Sequence, residues 1–421
     1  MAKDRFVQLE MLLTQKPSQE GWGQIVNLFS NWPTEKNLNV AKSYANDHLR
    51  HWPDEMRRMP CSESGEDLQE HPQDWPFFLL ARSLSLTNDK INLERIKDIA
   101  NNPNLHALTM LDISLVDLYA INNKIGVEGA KAIASSKHLT QLNTLRIRIS
   151  GIGDDGAKAI ANSQTLSQLT LLDLTDNQIG AEGAKAIANS KHLTQLTKLS
   201  LANNPIGVDG AKAIAASENL THLKELNLAF AGVGTKGAKA IANAPMLQLT
   251  TLNLTYNGLG NEGAQAIACG ETLNNLTTLN LRRNEIGAEG AQAIAESKVL
   301  KNLSTLDFTN NNIRDKGVKA IATSECLRHL ATLNLRHNKI GDEGAKAIAN
   351  SERLTDLVIL NLCVNSVGTE GAKAIANNRL LSSLAKLDLS YNKMGYEGEE
   401  EVTRKANEEG WDLKIGLPWG Q

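Results

Sequence analysis

Leucines recur along this chain in a fixed register of apolar and polar positions. Leu169, Leu172, Leu174 and Asn177 spell Leu-x-x-Leu-x-Leu-x-x-Asn, repeated at Leu196, Leu199, Leu201, Asn204 and at Leu330, Leu333, Leu335, Asn338. In Leu172-Asp173-Leu174 the period is two, so a strand turns both leucines to one face and Asp173 to the other. A second motif accompanies each strand. Gly-Ala-Lys-Ala-Ile-Ala starts at Gly129, Gly156, Gly183, Gly210, Gly237, Gly344 and Gly371, with variants at Gly263, Gly290 and Gly317. It predicts a short helix with a narrow apolar stripe, Ala184, Ile187 and Ala188 at i, i+3 and i+4. Successive starts are 27 residues apart, except for one step of 26 between Gly237 and Gly263. One strand and one helix cannot bury these faces alone, whereas stacked units form a continuous aliphatic core.

The two motifs resemble those of leucine-rich repeat proteins over roughly residues 81–410. A period of 27 with a helix in every unit is similar to the ribonuclease-inhibitor-like kind, here of bacterial type. The resemblance implies an α/β solenoid, a horseshoe with a parallel concave β-sheet, convex helices and an N-terminal helical cap. It also implies that the Asn at each strand end hydrogen-bonds neighbouring backbone in a ladder. Two weaker units come first, around Leu84 and Leu86 and around Leu108, Leu111 and Ile113. From Leu111 to the next strand leucine, Leu145, the gap is 34, which places an insertion near Ser114–Ala120. At the other end Glu399-Glu-Glu-Val-Thr replaces the alanine motif. The expected organisation is a helical cap or docking segment at 1–80, about 12 repeat units at 81–392, and a C-terminal cap at 393–421 with Trp411 and Trp419 over the open core.

Composition sharpens these boundaries. Aromatic residues are only 4% of the chain, and nine of them fall in residues 1–80: Phe6, Trp22, Phe29, Trp32, Tyr44, Trp52, Trp75, Phe77 and Phe78. That segment predicts helices over 4–14, 21–31 and 34–51, with Thr34 as an N-cap and a polar loop at 60–72. Residues 17–52 resemble an F-box, with Ile25, Leu28, Phe29 and Trp52 at its apolar contacts but without the usual opening Leu-Pro. This implies an alternative role, a host-directed effector or adaptor recruiting a ubiquitin ligase complex.

Lys+Arg 44 against Asp+Glu 47 gives a net charge of −3, which argues against nucleic-acid or anionic-membrane partners. No apolar run is long enough to span a membrane. The charged N-terminus argues against a Sec signal, and Cys61, Cys269, Cys326 and Cys363 are too dispersed for a disulfide framework. A cytoplasmic protein, or one delivered into a host cell, is expected. The lysine column from Lys131 to Lys373 is expected to be neutralised by acids three residues earlier, such as Glu128, Glu182 and Glu370.

No hydrolase, metalloprotease or nucleotide-binding motif occurs. Cys61 with His71, and His48 with His51, lack the further groups that catalysis or metal binding needs. The expectation is a non-enzymatic protein-interaction scaffold, a monomer with no cofactor or metal. Twelve strands about 4.8 Å apart give an arc of roughly 55 Å, enough for a folded partner. The central strand column is mostly small and polar, for example Asp112, Asp173, Ser200, Asn253, Asp307 and Asp388. Departures from the repeat stand out against it: Phe230, Tyr256, Arg282, Arg283, Arg336, His337 and Tyr391 after the strand leucines, with Ala231 replacing a ladder Asn. Arg146 and Arg148 form a second patch, where Ser150 replaces Asn. Aromatic residues and Arg are enriched at interface hot spots, so the main contact surface is expected at 225–340.

Overall fold

Each repeat folds as one short strand and one short helix in the computed structural model of the chain. The structure describes residues 2–30, 32, 35–53, 57, 80–86, 92–114, 124–378, 380, 381 and 383–416. The chain divides into two compact units, Met1–Ser200 and Leu201–Gln421.

The first unit opens with helices α1 (Ala2–Leu13), α2 (Gln19–Ser30) and α3 (Glu35–His48). Strand and helix then alternate: β1 (Ser83–Ser85), α4 (Leu93–Asn101), β2 (Met110–Ser114), α5 (Gly126–Ala134), β3 (Thr144–Arg148), α6 (Gly153–Ala161), β4 (Leu171–Asp173), α7 (Ala181–Ala188) and β5 (Lys198–Ser200). All neighbouring strands pair in parallel, leucine opposite leucine, as at Leu145 and Leu172.

The second unit continues with α8 (Gly207–Ala215), β6 (Glu225–Asn227), α9 (Gly234–Ala242), β7 (Thr251–Asn253), α10 (Gly260–Ala268), β8 (Thr278–Asn280), α11 (Ala288–Ala295), β9 (Thr305–Asp307) and α12 (Arg314–Ala322). It ends with β10 (Thr332–Asn334), α13 (Asp342–Ala349), β11 (Ile359–Asn361), α14 (Thr369–Ala376), β12 (Lys386–Asp388), α15 (Gly395–Glu409) and β13 (Asp412–Lys414). Its strands also pair in parallel in chain order. The α/β leucine-rich solenoid architecture expected from the repeat is therefore the observed one.

The core lies between strands and helices. Leu252, Leu254, Ala264 and Ile267 are fully buried, while Asn253 between the leucines stays half-buried. Burial of each leucine stabilises by roughly 1.5–3 kcal/mol. The ladder asparagines satisfy the backbone that the short strands leave open. Buried Asn257 donates Nδ2 to Leu228 O (2.8 Å) and Leu254 O (3.0 Å), and its Oδ1 accepts from Val233 N at 2.9 Å. A second column comes from serines that the sequence marks only as helix ends. Ser297 Oγ donates to Ala268 O at 2.6 Å and accepts from Leu300 N at 3.2 Å, stitching one repeat to the next.

The 26-residue step has a packing counterpart. Ala244 stands where most repeats have this serine, and Gly270 takes the place in the following repeat. A Cβ on Gly270 would lie 2.5 Å from the carbonyl oxygen of Ala242, so only glycine fits. Thr272 Oγ1 then bonds that carbonyl at 2.9 Å. Helix starts use a bond between repeats as well. Asp315 Oδ1 accepts from Gly341 N (2.7 Å) and Gly344 N (3.0 Å), so α12 caps α13.

Helices α1 and α2 begin two residues earlier than expected, and α3 ends in a 3₁₀ turn at Leu49–His51. Leu9, Trp22, Ile25, Phe29 and Leu49 are buried among them, and Phe29 stacks on Trp32 with centroids 5.4 Å apart. Arg57, also buried, donates Nε and Nη2 to Leu80 O at 2.9 and 2.5 Å and Nη1 to Leu49 O at 3.3 Å. It thus ties the helical segment to the residues just before β1.

At the far end α15 runs 15 residues, against eight in α14, and stops at Gly410 with φ 74°. Its added turns carry the Arg404 pairs to Glu401 and Glu408. Residues 60–72, including Cys61 and His71, the expected insertion beyond Ser114, Thr34 and Trp419 lie outside the described residues.

Candidate partner-binding surface

Two adjacent columns follow the strands. Their register comes from the repeat. In the second unit the first column runs Ala229, Thr255, Arg282, Thr309, Arg336, Cys363, Ser390. The next position in each repeat is Phe230, Tyr256, Arg283, Asn310, His337, Val364, Tyr391, and every one of these has φ of 55–57°. Each turn is held by a backbone bond to the following repeat, such as Tyr256 N to Arg282 O (2.8 Å) and Arg283 N to Thr309 O (2.9 Å). Left-handed backbone costs a side-chain-bearing residue about 1–3 kcal/mol, and glycine is the relieved choice. No member of this column is glycine. The helix starts of the same repeats do use it, at Gly234 (φ 59°) and Gly260 (φ 58°).

The structure brings the second-unit candidates into two clusters. Phe230 and Tyr256, 42% and 56% exposed, stack with centroids 4.7 Å apart and planes at 23°. Such a pair is a preformed aromatic platform in water, not part of the core. Arg282, Arg283, Arg336 and His337 line a single cleft of about 650 Å³, closed by Val364 and Tyr391. Thr309 and Asn310 complete its floor. Sequence reading missed these two, although they sit on the same two columns. His337 donates Nδ1–H to Asn310 Oδ1 at 2.7 Å, which fixes the ring and leaves Nε2 for other contacts. Among the described residues, no acidic side chain lies within ion-pair distance of Arg282, Arg283 or Arg336.

The first-unit candidates behave differently. Arg148 reaches Asp173 Oδ2 through Nη2 at 2.5 Å and Nε at 2.7 Å. Arg146 sits 3.6 Å from Asp112 Oδ2 and 3.6 Å from the Met110 sulfur. Asp112 and Asp173 are therefore ion-pair partners within the sheet, not the inert small residues that their column suggests.

On the helices, Lys131, Lys158, Lys185 and Lys346 pair with acids three residues earlier, as expected. Lys373 departs from this and pairs with Glu397 of the following helix at 2.5 Å. That hydrogen bond holds the Lys373 ammonium above its ordinary pKa. The four F-box-like positions, Ile25, Leu28, Phe29 and Trp52, are buried within the helical segment. Among the described residues, the large exposed apolar side chains there are instead Val7, Met11 and Val40. No cluster able to hold a metal ion, and no helix long and apolar enough to cross a membrane, occurs among the described residues.

Comparison with known proteins agrees with the fold. The Leucine Rich repeat family matches residues 136–161, 166–188, 192–215, 219–242, 248–268, 272–295, 299–322, 326–349 and 381–400. The chain is a leucine-rich repeat protein. Among solved structures it is similar to a chain of the Rad7–Elc1 complex in yeast, at 13% identity and a TM-score of 0.50, covering 93% of this chain and 90% of that one. It also matches an internalin, InlF, of Listeria monocytogenes at 18% identity and a TM-score of 0.45, covering 85% of this chain and 93% of that one. No curated protein matches.

Proposed function

We propose that this chain is a non-enzymatic scaffold that binds a protein partner on the strand side of its repeats, the concave face of the solenoid. The observation that carries this reading is the stacked, exposed Phe230–Tyr256 pair in an array whose core is aliphatic apart from the buried Phe308. Interface energy concentrates in a few such aromatic and arginine side chains. The adjoining arginine cleft extends the same two columns, so the surface offers an apolar anchor beside a polar one. A cytoplasmic or host-delivered protein of bacterial type, acting as a monomer, belongs to the same proposal.

The test is affinity capture with the full chain and with Phe230→Ala/Tyr256→Ala/Arg283→Ala. Truncating a hot-spot residue costs about 2 kcal/mol or more, so the triple variant loses its captured partner while its melting temperature stays put. Unchanged capture by a fully folded triple variant refutes the proposal.

A further inference from the structure

We propose that the cleft around Arg282, Arg283, Arg336 and His337 takes an acidic segment of the partner protein, an extended stretch presenting Asp or Glu carboxylates. The inference rests on the scaffold reading and adds the chemistry of what is bound. Three guanidinium groups share one cleft with no carboxylate partner among the described residues, whereas Arg146, Arg148, Arg353 and Arg404 are all ion-paired. Asp307, which stands one repeat after Arg282, is already occupied. Its Oδ1 accepts from Thr309 N at 2.7 Å and its Oδ2 from Asn334 Nδ2 at 3.3 Å. A guanidinium fork matches a carboxylate bidentately, and such charge-assisted bonds are the strong ones.

The spacing suits an extended peptide. Arg282–Arg283 and Arg336–His337 follow β8 and β10, two strand spacings or about 10 Å apart. On an extended chain of polyproline II type, with three residues per turn, carboxylates three residues apart share one face at about 9 Å. The Phe230–Tyr256 pair continues the Arg283 column over the two preceding repeats, so an apolar residue next to the acidic stretch finds a stacking surface. Nucleic acid fits less well. Its phosphate backbone needs a long basic track. Here the neighbouring strand positions are neutral at Asn227 and Asn253 and acidic at Asp307 and Asp388.

The experiment measures binding of fluorescein-labelled octaglutamate, octaglutamine and octalysine peptides and of oligodeoxythymidylate to the full chain at low and physiological salt. Octaglutamate is expected to bind above the other three, and more weakly as salt rises. Arg282→Gln/Arg283→Gln/Arg336→Gln is expected to weaken it at least about tenfold, with an unchanged melting temperature. Arg146→Gln/Arg148→Gln leaves it within about twofold. Equal binding by the wild type and the cleft variant, no binding of octaglutamate, or tighter binding of oligodeoxythymidylate overturns the inference. Capture of the partner distinguishes the two readings. Loss of capture in Phe230→Ala/Tyr256→Ala with full capture by the arginine variant overturns the acidic-segment inference and leaves the scaffold reading in place.

Discussion

Arg148 and Arg282 hold the same position in the repeat, and their surroundings give them different roles. Arg148 lies against Asp173 of the next repeat, and Arg282 has Asp307 at the corresponding place. The difference comes from one repeat further on. Beyond Asp307 stands Asn334, whose Nδ2 takes the outer carboxylate oxygen at 3.3 Å. Beyond Asp173 stands Ser200, which bonds Thr175 Oγ1 at 3.0 Å and leaves Asp173 Oδ2 to the arginine. Arg336 has Asn361 at the equivalent site and no carboxylate at all. A single amide in a neighbouring repeat thus separates an arginine spent on the sheet from one open to a partner.

This contrast can be broken in graded steps. The largest effect is expected from the frame beneath the open cluster. Asn284 is buried, donates to Leu254 O (2.8 Å) and Arg282 O (3.1 Å), and accepts from Asn257 N (2.9 Å). Asn284→Ala leaves these groups unpaired and should cost roughly 2–4 kcal/mol, measured by denaturant unfolding. Asn361→Asp comes next. It places a carboxylate beside Arg336 where Asp173 stands beside Arg148, and should lower partner affinity about fivefold, or roughly 1 kcal/mol. A double-mutant cycle on Arg148→Ala and Asp173→Ala should return a coupling of about 0.5–1 kcal/mol, with partner binding untouched.

The smallest effect belongs to the exposed helix pairs. Hydrogen bonding to Lys185 holds the Glu182 carboxyl below its ordinary range. Its folded-state pKa is therefore the lower one, so its stabilisation is present at neutral pH and fades as acid drives pH down through that value. Thermal melts of Glu182→Gln between about pH 5 and pH 3 should show a slightly flatter slope than the parent.

The repeat made strands, short helices and the asparagine ladder legible, because the spacing of Leu172, Leu174 and Asn177 reports burial directly. It could not reveal the serine column, since Ser297 reads as a polar helix end until its bond to Ala268 is seen. The left-handed column was hidden for a related reason. Phe230, Tyr256 and Val364 are not residues that announce positive φ, and only the bonds to the next repeat impose it. Sequence deviation picked out both arginine patches equally. Whether each arginine finds a carboxylate depends on Asp173 and Asn334, 25 residues from Arg148 and 52 from Arg282 in the chain, which packing alone brings to bear.

Arginine-selective labelling of the intact protein with phenylglyoxal, read residue by residue by mass spectrometry, tests this division most directly. Rapid modification of Arg282, Arg283 and Arg336, suppressed when the partner is bound, with slow and partner-independent modification of Arg146 and Arg148, is the predicted result. Equal reactivity of the two clusters, or protection of Arg146 and Arg148 instead, contradicts it.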